Sequence, residues 1–511
     1  MVFSSVIFVL FFLPIVLAGY FTLVAPALLG SRSRLWWQAS NAFLLLASLV
    51  FYFWGERSLT WIIIGSTVTN YVCGLIISGA YRSGDVQQLV LEGPRNWRQK
   101  AGLVASVGCN LGVLGLFKYF NFGVENFNAL MARLGLSGLV WHDAVRIVLP
   151  LGISFYTFQA MSYTIDVYRG RTRATRNLID FACYVTMFPQ LVAGPIVRYL
   201  DISEQLRSRK ITCRLFASGV NRFVLGLAKK LLIANMISVA AEEIFALPTG
   251  NLSPGIAWFG AVCFALQIYF DFSGYSDMAI GLGRMLGFSF PENFNYPYIS
   301  QSMREFWQRW HISLSTWFRD YLYIPLGGNR RSPARTYMNL AIVFTLCGLW
   351  HGASWTFVVW GLYHGLFLVL ERIWLHEFLA RRHPLIRHVY ALLTILCGWV
   401  IFASPSISHA MGFLAAMVGV AADAVSTQDL EWYMTREVRI ALIAGVVFSM
   451  PVVPAFVASV TRAVAGLRGV ARVVAEWTVA ACRLVSLSAL YVLCVMFLSA
   501  GTHNPFIYFR F

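Results

Sequence analysis

The stretch at residues 348–355, GLWHGASW, sets His351 beside Trp350 and close to Trp355, inside a run at residues 336–370 that holds no Asp, Glu, Lys or Arg. At about 1.5 Å per residue, one helix of that length would be far longer than the ~30 Å hydrocarbon layer of a membrane. Arg335 and Arg372 flank the run, and basic flanks on both sides place its two ends on one face. The run therefore suits a helical hairpin or re-entrant pair, with His351 near the turning point and up to ~22 Å from the basic edge. A titratable ring at such depth usually faces protein or a water-filled cavity rather than lipid.

Composition supports a membrane setting. Of 511 residues, 58% are hydrophobic and only 12% charged, and the mean hydropathy is +0.65. That leaves too little polar side chain to cover a soluble surface. Largely apolar stretches recur from Val6 to Ser499, two of them (residues 42–77 and 339–370) of double length. The expected fold is an all-α polytopic membrane protein with roughly ten to thirteen passes plus re-entrant segments. A single membrane-embedded domain over residues 1–511 is expected, its chemistry-bearing core at about residues 149–372, with no appended soluble domain and no solenoid repeat.

Forty Lys and Arg against 23 Asp and Glu give a net charge of +17, concentrated in short loops, where such an excess reports topology. Arg82 with Arg95 to Lys100, Arg169 to Arg176, Arg198 to Arg214, residues 304–335 and residues 372–387 all fall on the cytoplasmic side. Asp143, Glu242 and Glu243 fall outside. The first segment has no basic residue before its apolar core and Arg32 and Arg34 after it, so it is read as a retained helix with its N-terminus outside rather than a cleaved signal. One apolar stretch, FACYVTMFPQLVAGPIV, separates the second and third basic loops. Its Pro189, Gly194 and Pro195 suit a turn that enters and leaves by the same face. No nucleic-acid-binding motif accompanies the charge, so no nucleic-acid partner is expected.

The nine cysteines lack CxxC pairing and suit packing. Three strings carry the buried polar chemistry: YFDFSGYSD with Asp271 and Asp277; FWQRWHISLSTWFRDYLYIPLGG with Arg309, His311, Arg319 and Asp320; and GLWHGASW with His351. A zinc site is not supported, because Ala380 stands where HExxH needs its second histidine after His376, and Cys347, one helical turn before His351, has no further ligands at a recognisable interval. A serine hydrolase is not supported either, since GYSDM has Met278 where the GxSxG elbow needs glycine. What remains for His351 is a general base: an apolar setting favours the neutral ring, which can take a proton from a hydroxyl. The competing reading is a histidine bonded to a carbonyl between helices. His311 lies among Arg304, Arg309, Arg319, Trp307, Trp310 and Trp317, which suits either an interfacial belt or a mouth for an anionic, aromatic-stacking donor. Arg304, Trp310, Arg319, Trp350, Asp271 and Asp277 are the candidate substrate-binding residues.

At these strings the chain resembles the membrane-bound O-acyltransferases, and within them the alginate O-acetylation branch. The resemblance rests on the opening MVFSSVIFVLFFLPIVLAGY, LPLGISFYTFQAMSYTIDVYRG, FPQLVAGPIVRY, DFSGYSDMAIGLGRMLGF, PENFNYPY, FWQRWHISLSTWFRDYLYIPLGGNR and GLWHGASWTFVVWGLYHG. It implies a helical funnel or tunnel through a bacterial inner membrane. His351 corresponds to the family's catalytic histidine and His311 to the second histidine of the polymer-modifying branch. It further implies no bound cofactor, with acetyl-CoA or another acyl thioester as donor substrate. The implied partners are a periplasmic acetyl-transferring protein, a polysaccharide acceptor and membrane lipid. Alternatives kept open are a non-catalytic acyl or glycan conduit, peptidoglycan O-acetylation and D-alanylation of teichoic acid.

Overall fold

The computed structural model describes residues 2–30, 33–80, 88–142, 144–420, 429–501 and 504. Arg32, Arg82 and Asp143, used above for topology, lie outside the described residues. The elements used below are α1 (Leu13–Leu28), α2 (Arg34–Glu56), α3 (Thr60–Ser78), α4 (Trp97–Arg133), α5 (Ile153–Arg169), α6 (Leu178–Thr186), α7 (Cys213–Ala246), α8 (Pro254–Met285), α9 (Met303–Arg309), α10 (Ile312–Phe318), α11 (Pro333–His351), α12 (Trp355–Leu370) and α13 (Pro384–Ala403). The described residues contain helices and no strand.

The protein is a multi-pass membrane protein. Among the described residues, eight helices are long and apolar enough to cross a membrane, and nine if the pair Arg436–Phe448 and Val452–Ala465, bent by 61°, is one span. This is fewer than the ten to thirteen passes expected, for two physical reasons. The continuous stretch Arg34–Ser78 has the length of two crossings but counts once, although it breaks at Arg57, whose φ is +47°. α5 runs buried inside the bundle, and α5, α6 and α11 carry too many polar residues, or are too short, to count as spans.

At the centre, α8 packs along α7 through glycines. A Cβ on Gly226 would stand 2.5 Å from the carbonyl oxygen of Gly274, and one on Gly219 would stand 2.6 Å from that of Gly281. Where apolar burial does not distinguish lipid from protein, such close backbone approach is what holds membrane helices together. Ion pairs lock the same seam: Lys230 to Asp271 at 2.8 Å, Arg222 to Asp277 at 2.6 Å and Lys229 to Asp277 at 2.7 Å.

The stretch after α6 turns back within the protein. Tyr199, at its far end, packs its ring against Phe181 at 6.4 Å and Tyr184 at 5.3 Å, so entry and exit lie side by side. Residues 183–197 are buried without exception. Non-helical backbone at that depth needs protein partners, and side chains supply them. Ser48 Oγ accepts from Phe188 N–H at 3.0 Å, Ser313 Oγ accepts from Ile196 N–H at 3.0 Å, and Tyr184 donates its hydroxyl to the Val197 carbonyl at 3.1 Å.

α11 and α12 form the hairpin expected around GLWHGASW. Their crossing is a pair of glycines: a Cβ on Gly348 would lie 2.1 Å from the Phe357 carbonyl oxygen, and one on Gly361 would lie 2.1 Å from that of Phe344. The chain turns through Gly352 to Ser354, and Ser354 caps α12 by accepting from Thr356 N–H. Gly361→Ala is expected to cost about 1–3 kcal/mol by overpacking. Gly108→Ala, with no atom within 4 Å of the new Cβ, is expected to be neutral or stabilising by up to about 1 kcal/mol. Thermal unfolding of the two variants in detergent compares them directly.

Candidate active site

His351 is the last residue of α11 and 4% exposed. Aromatic rings enclose it edge-on: Trp350 and Trp360 with centroids at 5.0 Å and Phe402 at 5.4 Å. Neither ring nitrogen has a hydrogen-bond partner among the described residues, so the carbonyl-bonded histidine of the competing reading is not what the structure contains. His351 lines a cavity of about 90 Å³ together with Glu56, Lys118, the segment from Leu149 to Phe155, Val192 and Trp350.

His311 lies deeper than its sequence neighbours suggested. Arg304 and Arg319 are exposed, yet His311 is 0% exposed. The cause is local: between α9 and α10 the backbone of His311 takes φ +42°, a left-handed conformation uncommon in non-glycine residues. The turn is held by Asn293. The Asn293 carbonyl oxygen accepts from Ser313 N–H at 3.2 Å and Ser313 Oγ at 2.9 Å, and its amide donates to Ser276 Oγ at 3.1 Å. With the amide so oriented, the 3.1 Å contact between His311 Nδ1 and Asn293 Oδ1 must have Nδ1–H donating. His311 Nε2 then keeps its lone pair, and no partner for it occurs among the described residues. The Trp350 ring packs against both imidazoles, its centroid 5.9 Å from that of His311 and 5.0 Å from that of His351.

Of the candidate site residues, the structure brings His311, Trp350 and His351 together and sets the others apart. Trp310 turns into an aromatic cluster with Trp399 at 4.8 Å, Phe294 at 5.0 Å and Phe306 at 5.7 Å. Arg304 is exposed, its backbone N–H donating to Glu371. Arg319 pairs with Asp320. Asp271 and Asp277 are engaged in the α7–α8 ion pairs.

Two contributors escaped sequence reasoning. Lys118, on α4, is buried and donates to Ser154 Oγ, to the Trp350 carbonyl and to the His351 carbonyl. A lone lysine within the apolar stretch at residues 104–119 was a visible signal, since charges inside membrane helices are rare and usually functional. Asn293 had no such signal; its role arises only from the fold.

At the rim, Asp320 joins Arg198 at 2.8 Å and Arg319 at 2.7 Å. Burial acts to raise its pKa, but the two guanidinium groups outweigh that and hold the carboxyl below its usual value of 3.8. A depressed carboxylate stabilises the fold fully above the unfolded pKa, and that contribution is lost as pH falls through the folded value. Asp320→Asn should therefore lower thermal stability at pH 7, and its gap from wild type should narrow as pH drops below about 3.8. Paired detergent melts across pH measure this.

Imidazoles enclosed by aromatic rings inside a helical membrane body define an integral membrane protein with titratable groups in its core. The model of the membrane-bound O-acyltransferase family matches residues 170–407. A Pseudomonas putida protein named probable alginate O-acetylase AlgI is 41% identical over 100% of both chains. Its Pseudomonas aeruginosa namesake is 46% identical over 82% of this chain and 75% of its own. A Helicobacter pylori peptidoglycan O-acetyltransferase is 35% identical over 82% of this chain and 80% of its own. The chain belongs to the membrane-bound O-acyltransferase family and is an O-acyltransferase. With that, the non-catalytic conduit falls away.

Proposed function

We propose that this enzyme carries an acetyl group from a cytoplasmic thioester, acetyl-CoA or another acyl thioester, across the bacterial inner membrane for O-acetylation of an extracellular polysaccharide, alginate-like or cellulose-like. A periplasmic acetyl-transferring protein completes delivery, and the N-terminus faces the periplasm. The observation that carries the reading is His351: a buried imidazole at a hairpin turn, with neither nitrogen partnered among the described residues, in a residue that lines a cavity.

In the proposed step, a His351 ring nitrogen takes the proton from the acceptor hydroxyl as its oxygen attacks the thioester carbonyl. The C–S bond breaks, and the departing thiolate takes the proton from the imidazolium and leaves as thiol. His311 has Nε2 as an acceptor, which favours holding an N–H of the donor over stabilising an oxyanion. Arg304 and Arg319, being exposed, suit attraction of an anionic donor from solution, and Trp350 contributes the wall shared by both histidines. Glu56 ends α2 on the cavity wall. With the N-terminus outside, α2 runs outward, which puts this cavity on the acceptor side.

The acceptor class follows the trend of identity. It is 41% over the full length for the alginate O-acetylase of P. putida, 35% over 82% of this chain for the peptidoglycan enzyme, and 31% over 44% of it for a Streptococcus thermophilus teichoic acid D-alanyltransferase. This favours an exopolysaccharide over cell-wall acceptors.

The test is the acetyl content of the producer's exopolysaccharide, by NMR, with membrane levels matched by immunoblot. His351→Ala and His351→Gln should each reduce polymer acetate by at least about a hundredfold, as loss of a general base at the reacting centre predicts. Acetate retained in both variants would overturn the assignment.

A further inference from the structure

An α-helix leaves its last four carbonyls without partners inside the helix, and α11 ends within the protein interior, at His351. Each of those four carbonyls is accounted for. Gly348 accepts from Gly352 N–H at 3.3 Å. Leu349 accepts from the Tyr119 hydroxyl at 2.6 Å. The carbonyls of Trp350 and His351 both accept from Lys118 Nζ, the latter at 3.2 Å. The third hydrogen of that ammonium goes to Ser154 Oγ on α5 at 3.2 Å. The ammonium also lies 5.7 Å from the Trp350 ring centroid, in the range of a cation–π contact.

Three acceptors from two helices converge on a single nitrogen. Among side chains of lysine's reach, only the ammonium presents three hydrogens on one point; an amide has two and a hydroxyl one. A buried cation in a membrane helix is costly, and a neutral donor could have satisfied either carbonyl singly. What the lysine adds is simultaneous fixation of both peptide groups flanking the His351 Cα to the middle of α4 and the first turn of α5, and Lys118, Ser154, Trp350 and His351 all line the same cavity.

We propose that Lys118 is a positioning residue for His351: it pins the carbonyls of Trp350 and His351, and so fixes the angle at which the imidazole meets the acceptor hydroxyl. The inference rests on His351 being the base. It assigns Lys118 no contact with substrate. Its effect is geometric, and small displacements of a reacting group are known to slow chemistry steeply.

The experiment uses inside-out membrane vesicles from producing cells, with radiolabelled acetyl-CoA as probe and label recovered in polymer as readout. Rates are taken per folded protein, counted by size exclusion of a detergent extract. Lys118→Met should lower the maximal rate by about thirtyfold or more while the half-saturating acetyl-CoA concentration moves less than about twofold, and Lys118→Arg, which has at most two hydrogens on any one nitrogen, should recover only part of the loss. A Lys118→Met enzyme within about threefold of wild type per folded molecule, or a loss expressed only as weaker half-saturation, overturns the proposal. Should Lys118→Met yield no folded protein, Ser154→Ala decides, because it removes one of the three acceptors and loosens Nζ. A reduced maximal rate at unchanged half-saturation supports the proposal, and an unchanged rate overturns it. The base assignment fails separately: full activity in His351→Gln removes it, whereas an inactive His351→Gln beside a fully active Lys118→Met removes only the role of Lys118.

Discussion

A helix that stops inside a membrane must have its end groups satisfied by protein, because there is little else there to satisfy them. The hairpin of α11 and α12 exists under that constraint. Its turn has no charged residue of its own, so the donors come from α4, where Lys118 and Tyr119 reach the last three carbonyls. This ties the position of α4 to the position of His351. It also accounts for the glycine crossing at Gly348 and Gly361: two antiparallel backbones must approach closely for the turn to be short and the histidine to sit at its tip.

The second interruption of regular helix obeys the same rule and connects the two histidines. Backbone around Pro189 to Val197 is bonded to Ser48, Tyr184 and Ser313. Ser313 is also bonded to Asn293, which fixes the ring of His311. At its other side the same segment supplies Val192 to the cavity beside His351. One buried turn thus braces the support of one imidazole and the wall next to the other. Asn293 is the node: through one carbonyl oxygen it holds the left-handed turn at His311 and selects the ring tautomer.

The sequence shows this fold where charge and hydropathy are unambiguous. An uncharged run too long for one crossing, with arginine at both ends, could only turn back, and it does so at His351. The re-entrant stretch was legible for the same reason, through its prolines and its two basic flanks. Asp271 and Asp277 stood out in sequence because a buried acid in an apolar helix looks the same whether it awaits a substrate or pairs with a cation on the next helix; only α7 alongside α8 reveals the pairs with Lys230, Lys229 and Arg222. His311 was placed too near the surface because its arginine neighbours were read as its environment. A backbone turn with φ +42° sends it inward, and nothing in FWQRWHIS announces that conformation. Lys118 was visible as an intramembrane charge, but its partners are carbonyls, which no sequence pattern marks.

The polar groups of the core divide into two kinds. The last four carbonyls of α11 are bonded, while several side-chain atoms around the histidines have no partner among the described residues, among them both nitrogens of His351, Nε2 of His311 and the indole N–H of Trp350. Leaving buried hydrogen-bonding atoms unpaired is costly, and native proteins rarely do so without a function. The aromatic rings that enclose His351 sharpen the point. They stand edge-on to the imidazole, and among the described residues none of them is hydrogen-bonded to either of its nitrogens. An O-acyltransferase must meet an acyl donor and a hydroxyl, and the imidazole nitrogens and indole N–H left open here are groups able to hydrogen-bond to what arrives.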